Sequence, residues 1–214
     1  MQEDEKFSSR ILWTDEANFT NNGMFNRHNK HTWSVENPHL RRNTNNHIRY
    51  SINVWCGILN KWIIGPYFCQ GNLNGRRYQK FLQSELPTLL HHTEIPLSTR
   101  QIMYFQQDGA PAHNSQVATR YLNEKYSNRW IGTRGPIRWP PRSPDLTPLD
   151  FFLWGFLKDK VYSHPINNVQ DIQKRIALEI SQIAERQLQN VINNVQKRME
   201  KCVQCGGGPF EHLL

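Results

Sequence analysis

Cysteine is scarce in this sequence: four in 214 residues. That is too few for the disulfide framework of a small secreted domain, so a reducing, intracellular compartment is expected. No apolar run approaches the roughly 20 residues that cross a bilayer, which excludes a membrane-spanning helix. The opening stretch, MQEDEKFSSR, is polar and offers no apolar segment for a secretory signal. Acids are also in short supply. Eighteen Asp and Glu face 26 Lys and Arg, giving a formal charge of +8 and a pI near 9.5, a balance suited to a polyanionic partner. Hydrophobic residues make up only 37%, yet 7 Trp, 7 Tyr and 10 Phe can seed a core, so wholesale disorder is excluded.

What is present alternates first with a period of two, then of 3.6. Arg10–Thr14 reads as a strand ending in the acidic pair Asp15-Glu16. Asn21-Asn-Gly23 reads as a turn, with short strands at Met24–Arg27 and Thr32–Val35 and a basic loop from Pro38 to Asn46. Ser51–Leu59 and Trp62–Phe68 pair across Asn60-Lys61, completing an antiparallel meander. Asn74 then caps a helix from about Gly75 to Leu90, which Pro87 should kink or shorten. A strand at Ile102–Phe105, a helix from Asn114 to Lys125 and a strand at Trp130-Ile131 suggest parallel pairing through a right-handed crossover. Five of the twelve prolines fall between Gly135 and Pro148 and mark an ordered loop. Helices are expected over 149–162, 168–180 and 184–202, the last two polar outside and apolar on one face.

Three acids stand where a fold exposes functional groups. Asp15 ends the first strand, Asp108 ends a later one, and Asp150 opens the aromatic helix. Converging carboxylates are hard oxygen ligands suited to Mg²⁺ or Mn²⁺, and a pair of such ions can drive phosphoryl chemistry. Each acid also has a plainer reading, as a strand-end turn former or a residue favoured by a helix dipole.

Three segments carry more than that: Trp13-Thr-Asp15-Glu16, FQQDGAPAH at 105–113 and WPPRSPDLTPLDFFLWGFLK at 139–158. Together they resemble the catalytic domain of mariner-type transposases, DNA-cutting enzymes of the DDE/DDD group. WSVENPH at 33–39 and the FEHLL ending extend the resemblance over nearly the whole chain. The resemblance implies an α/β fold of the ribonuclease-H-like type: a mixed five-stranded sheet flanked by helices. Residues 1–214 then form a single catalytic domain whose part 165–214 is a helical C-terminal extension. It maps the catalytic and metal-binding acids onto Asp15, Asp108 and Asp150, with Mg²⁺ as the cofactor and Mn²⁺ as a substitute. The 41 residues between Asp108 and Asp150 exceed the spacing common in that family, and the surplus falls within Tyr126–Trp139.

Asp145, in Ser-Pro-Asp-Leu, is the rival third ligand and is read as a turn-fixing residue. Glu16 should face away from Asp15 on a strand and serve at one remove. His113 is read equally as a DNA-contacting or proton-transferring group and as a structural residue. Cys202, Cys205 and His212 fall short of the four ligands a structural zinc site needs. His39, Arg41, Arg42, Arg49, Arg76, Arg77, Arg134, Arg138, Arg142, Lys158 and Lys160 are candidates for phosphate contact.

The function implied by the resemblance is metal-dependent cleavage of DNA at transposon ends, then strand transfer to a TA target in the nucleus. DNA is the partner, with a homodimer allowed and no membrane. Because the first strand begins by residue 10, the helix-turn-helix modules of that family are expected to be absent. The alternative is a truncated remnant that binds DNA or a partner without catalysis.

Overall fold

The computed structural model describes residues 7–20, 50–141 and 143–214. The strands expected at 24–27 and 32–35 and the basic loop after Pro38 lie outside the described residues.

Five strands form one mixed sheet in the order β3-β2-β1-β4-β5: β1 (Ile11–Thr20), β2 (Ser51–Leu59), β3 (Trp62–Cys69), β4 (Tyr104–Gln106) and β5 (Trp130–Ile131). The first three make the expected antiparallel meander, and β4 and β5 add in parallel. One expectation needs correction. Asp15 does not end β1 but lies in its middle, because pairing with β2 continues to Thr20↔Ser51. What ends near Asp15 is the parallel side, where β1 meets β4 only at Ile11↔Tyr104 and Leu12↔Phe105.

Side-chain alternation along β1 divides the core. Ile11, Trp13, Ala17 and Phe19 point to one face, where they join Leu149, Leu153 and the apolar stripe Ile172, Ile176, Ile180 of the C-terminal helices. Leu12 points to the other, among Trp55, Tyr78, Phe81, Phe105 and Trp130. Each fully buried Ile, Leu or Phe contributes about 1.5–3 kcal/mol. Asp15 and Glu16 inherit this alternation and leave β1 on opposite faces.

Three short helices precede β4. Asn74 caps α1 (Gly75–Lys80), its side chain accepting from Arg77 N at 3.0 Å. A π-wound segment, Phe81–Glu85, leads into α2 (Leu86–His92), so the widening of the helix comes immediately before Pro87. The third, α3 (Leu97–Ile102), takes the start of what reads as a strand; pairing begins only at Tyr104. Ser115 caps α4 (Gln116–Tyr126), and a Cβ at Gly75 would overlap the Ser115 side chain. That close approach seats Tyr78 of α1 against His113, with ring centroids 4.2 Å apart.

After the proline-rich loop, Leu149–Trp154 is π-wound and runs into α5 (Gly155–Val161). Asn168 caps α6 (Val169–Ser181), and α7 (Glu185–Gln204) follows. Arg198 of α7 donates to the Asp145 carbonyl at 2.9 Å and to Glu211 at 3.2 Å, and its guanidinium lies 4.1 Å over the Phe151 ring. Among the described residues, no helix is long and apolar enough to cross a membrane.

Candidate active site

The cleft forms where β1 and β4 part. Beyond Leu12 the backbone of β1 loses its parallel partner, and Gln106 substitutes for it. Its side-chain oxygen accepts from Thr14 N at 3.2 Å, while its carbonyl accepts from the Thr14 hydroxyl at 2.6 Å. The strands splay at their carboxyl ends, the usual place for a ligand crevice in an open α/β sheet. The opening is a cavity of about 560 Å³ whose lining includes Asp15, Glu16, Asp108 and Asp150, walled by Trp139 and Pro144 of the proline-rich loop.

All three acids singled out from the sequence therefore line one cavity. Asp15 is mostly buried and accepts from the Trp154 indole N–H at 2.7 Å. Burial, then the negative charges of Asp150 and Glu16, push its carboxyl up to about 7 despite that bond. Asp150, more exposed, is pushed up to about 6 by burial and by Asp108, with Lys158 pulling the other way. Asp108 behaves oppositely. Burial would raise it, but the His113 hydrogen bond and charge and the Ala110 N–H hold it below the usual carboxylate range.

His113 is almost fully buried. Its Nδ1 lies 2.5 Å from Asp108 Oδ1, and its Nε2 lies 3.2 Å from each carboxylate oxygen of Glu16. Burial alone would lower its pKa, but the two flanking carboxylates outweigh that and raise it to about 10, which favours the imidazolium, the form that can donate to a carboxylate at each nitrogen. Tyr78 OH donates to Gln107 Oε1 at 2.9 Å, and Gln107 Nε2 donates to the His113 carbonyl at 3.1 Å.

Asp145 does not line the cavity. The turn around it is fixed by Leu146 N to Ser143 O and Thr147 N to Pro144 O. Among the described residues its carboxylate makes no hydrogen bond, so it does not fix the turn through its side chain as expected. Arg76, Arg77, Arg134, Arg138, Lys158 and Lys160 are exposed; Arg41, Arg42, Arg49, His39 and Arg142 lie outside the described residues.

The donor set suits a hard divalent cation: carboxylate oxygens, two of them with charge left uncompensated by the protein. Among the described residues, no three His, Cys, Asp or Glu side chains are gathered closely enough to hold an ion as they stand. The same finding leaves Cys202, Cys205 and His212 without a metal-holding group.

Sequence reasoning missed Trp154, whose indole N–H orients Asp15, because the run FFLWGF reads as core. The available signal was that a buried indole N–H requires an acceptor. It also left open what Glu16 and His113 do together, since only the fold brings residues 97 positions apart into contact.

The fold is the ribonuclease-H-like α/β fold of the Mos1 mariner transposase catalytic domain. In sequence as well as fold, the chain resembles mariner-type transposases. Tc3 transposase of Caenorhabditis elegans is 27% identical over 164 residues, 76% of this chain and 46% of the relative. The chain thus spans about half the length of that curated relative. Among solved structures, the Mos1 transposase paired-end complex with left transposon end superimposes with a TM-score of 0.77 at 20% identity, covering 96% of this chain and 57% of that one. The Mos1 catalytic domain with raltegravir and Mg gives 0.71 at 20% identity, covering 96% and 88%. No family model matches the chain.

Proposed function

We propose that this chain is a transposase catalytic domain that cleaves DNA at transposon ends and transfers the freed strand to a TA target in the nucleus. What carries the reading is the shared cavity of Asp15, Asp108 and Asp150, in which two of the three carboxylates are pushed up by burial and by neighbouring acids. These three acids would hold Mg²⁺ or, in its place, Mn²⁺; the Mos1 catalytic domain is known in structures with each. Such ions supply Lewis-acid stabilisation of charge at phosphorus and a more acidic water.

The chain's own residues do the rest. Trp154 and His113 each occupy one oxygen of an acid and so fix its orientation. Trp139 and the neighbouring prolines wall the cleft and limit the approach of solvent. Exposed Lys158, Arg134 and Arg138 offer phosphate contacts that give affinity without reading bases. DNA binding should accordingly weaken steeply with salt. A homodimer is part of this reading, which the Mos1 transposase paired-end complex supports.

Nicking of supercoiled plasmid in Mg²⁺ or Mn²⁺ tests it. The wild type should nick, and Asp108→Asn should lose about a thousandfold or more, roughly 4 kcal/mol of barrier, while still binding DNA. A wild type that binds DNA but never nicks would make the chain a non-catalytic remnant.

A further inference from the structure

We propose that Glu16 and His113 form a positioning clasp that dictates which oxygen of Asp108 is presented to the cleft. The inference deepens the catalytic reading above and rests on it.

The geometry is asymmetric. Both protein hydrogen bonds to Asp108, from His113 Nδ1 at 2.5 Å and from Ala110 N at 3.0 Å, go to the same oxygen, Oδ1. The carboxylate is half exposed while the histidine beneath it is almost fully buried. Oδ2 is thereby left for a partner in the cavity, and rotation about the last side-chain bond would break two bonds at once.

The histidine is itself fixed on every side. Glu16 takes Nε2, the Tyr78 ring packs on its face at 4.2 Å, and Gln107 holds its carbonyl. Glu16 belongs to β1 and Asp108 to the loop after β4, so the clasp spans the very gap where main-chain pairing between those strands has stopped. A purely structural ion pair would need only one of the two carboxylates. Two carboxylates on one buried imidazole are costly unless both are satisfied, and here Glu16 is largely covered while Asp108 is half exposed to the cleft. Groups that orient a ligating carboxylate in this way typically alter metal affinity by about 10–100-fold when removed.

The test separates orientation from stability by using side chains that mimic one ring nitrogen at a time. Asparagine places its amide nitrogen near the position of Nδ1, so His113→Asn retains the donor to Asp108. His113→Phe retains the ring against Tyr78 and removes both donors. Mn²⁺ affinity is measured by the loss of the free-ion electron paramagnetic resonance signal, alongside thermal unfolding without metal. His113→Phe should weaken Mn²⁺ binding about tenfold or more, and His113→Asn should stay within about threefold of wild type. Glu16→Gln, which removes the negative charge facing the far nitrogen but keeps an acceptor there, should fall between them, and it decides the matter if His113→Phe does not fold.

Unchanged Mn²⁺ affinity in folded His113→Phe, or in Glu16→Gln, would overturn the clasp while leaving the catalytic reading intact, provided Asp108→Asn abolishes binding. Lowered melting temperatures with unchanged affinity would likewise reduce it to a structural ion pair. A wild type that takes up no Mn²⁺ would overturn both.

Discussion

The two halves of the cleft solve the same electrostatic problem in opposite ways. On the α1/α4 side, Asp108 and Glu16 share the charge of His113, and Asp108 is held below the usual carboxylate range. On the side of the C-terminal helices, Asp15 has only neutral donors, the Trp154 indole and the Glu16 backbone, and Asp150 has Lys158 acting from an exposed position. Their carboxyls rise to about 7 and about 6. One half is neutralised from within the fold; the other carries negative charge that the fold does not balance. That imbalance is a stability cost, relieved by protonation as pH falls or, on the function proposed above, by a bound cation.

The largest expected effect collapses the difference at its source. Asp15→Asn and Asp150→Asn should each reduce plasmid nicking by three orders of magnitude or more, about 4 kcal/mol of barrier, as should Asp108→Asn. If either side can be neutralised without loss of nicking, the two halves are not one site.

Stability should then separate what activity does not. Without metal at pH 8, Asp15→Asn removes a poorly compensated charge and should stabilise the fold by about 1–3 kcal/mol. Asp108→Asn leaves His113 and Glu16 with a weakened partner and should destabilise it by about 1–2 kcal/mol. Urea unfolding of both variants reads the two signs, and like signs would remove the asymmetry.

The pH profile follows from the same shifts. Asp15 and Asp150 have folded values above their ordinary 3.8, so their contribution is complete below pH 3.8 and is lost as pH rises through about 6 and about 7. His113 works in the same direction over a higher window: complete below 6.5, lost as pH rises through about 10. Asp108 opposes them, its contribution lost only as pH falls through and below the ordinary carboxylate range. Metal-free protein should therefore lose about 2–3 kcal/mol between pH 5 and pH 8, chiefly through Asp15, because Asp150 is too exposed to add much. Saturating Mn²⁺ should flatten that slope, and a slope unchanged by Mn²⁺ would argue against uptake at this half.

The smallest effect lies outside the cleft. Arg198→Ala removes the bond to the Asp145 carbonyl and the stacking on Phe151, and should cost about 1–2 kcal/mol in urea unfolding. No comparable change is expected from Arg134→Ala, an exposed residue.

Most of the sheet was legible because its strands are apolar, β-prone runs punctuated by turns. The β1–β3 meander and the later strands at 104–106 and 130–131 follow from that pattern. The reach of β1 was not legible. Ala17, Asn18 and Phe19 give no hint that β2 would keep pairing past two acids, since the decision is made by a partner more than thirty residues away. For the same reason α3 went unseen: Leu97–Ile102 is a single short turn of helix whose formation depends on neighbours. Asp15, Asp108 and Asp150 stood out through spacing and motif. Their contrasting environments did not, because Trp154 and His113 act through space and each also reads as ordinary core.

The Arg198 link has a further meaning for how copies of this sequence would decay. It ties the last long helix to the turn that leads into Asp150, and Phe210 beyond it is buried in the same core as Trp13. A frameshift or stop codon late in the reading frame would spare every acid in the cleft and still loosen the segment that presents one of them. If the proposed function holds, the mutational target for inactivation thus extends to these C-terminal helices, and an intact set of three acids does not by itself mark an active chain.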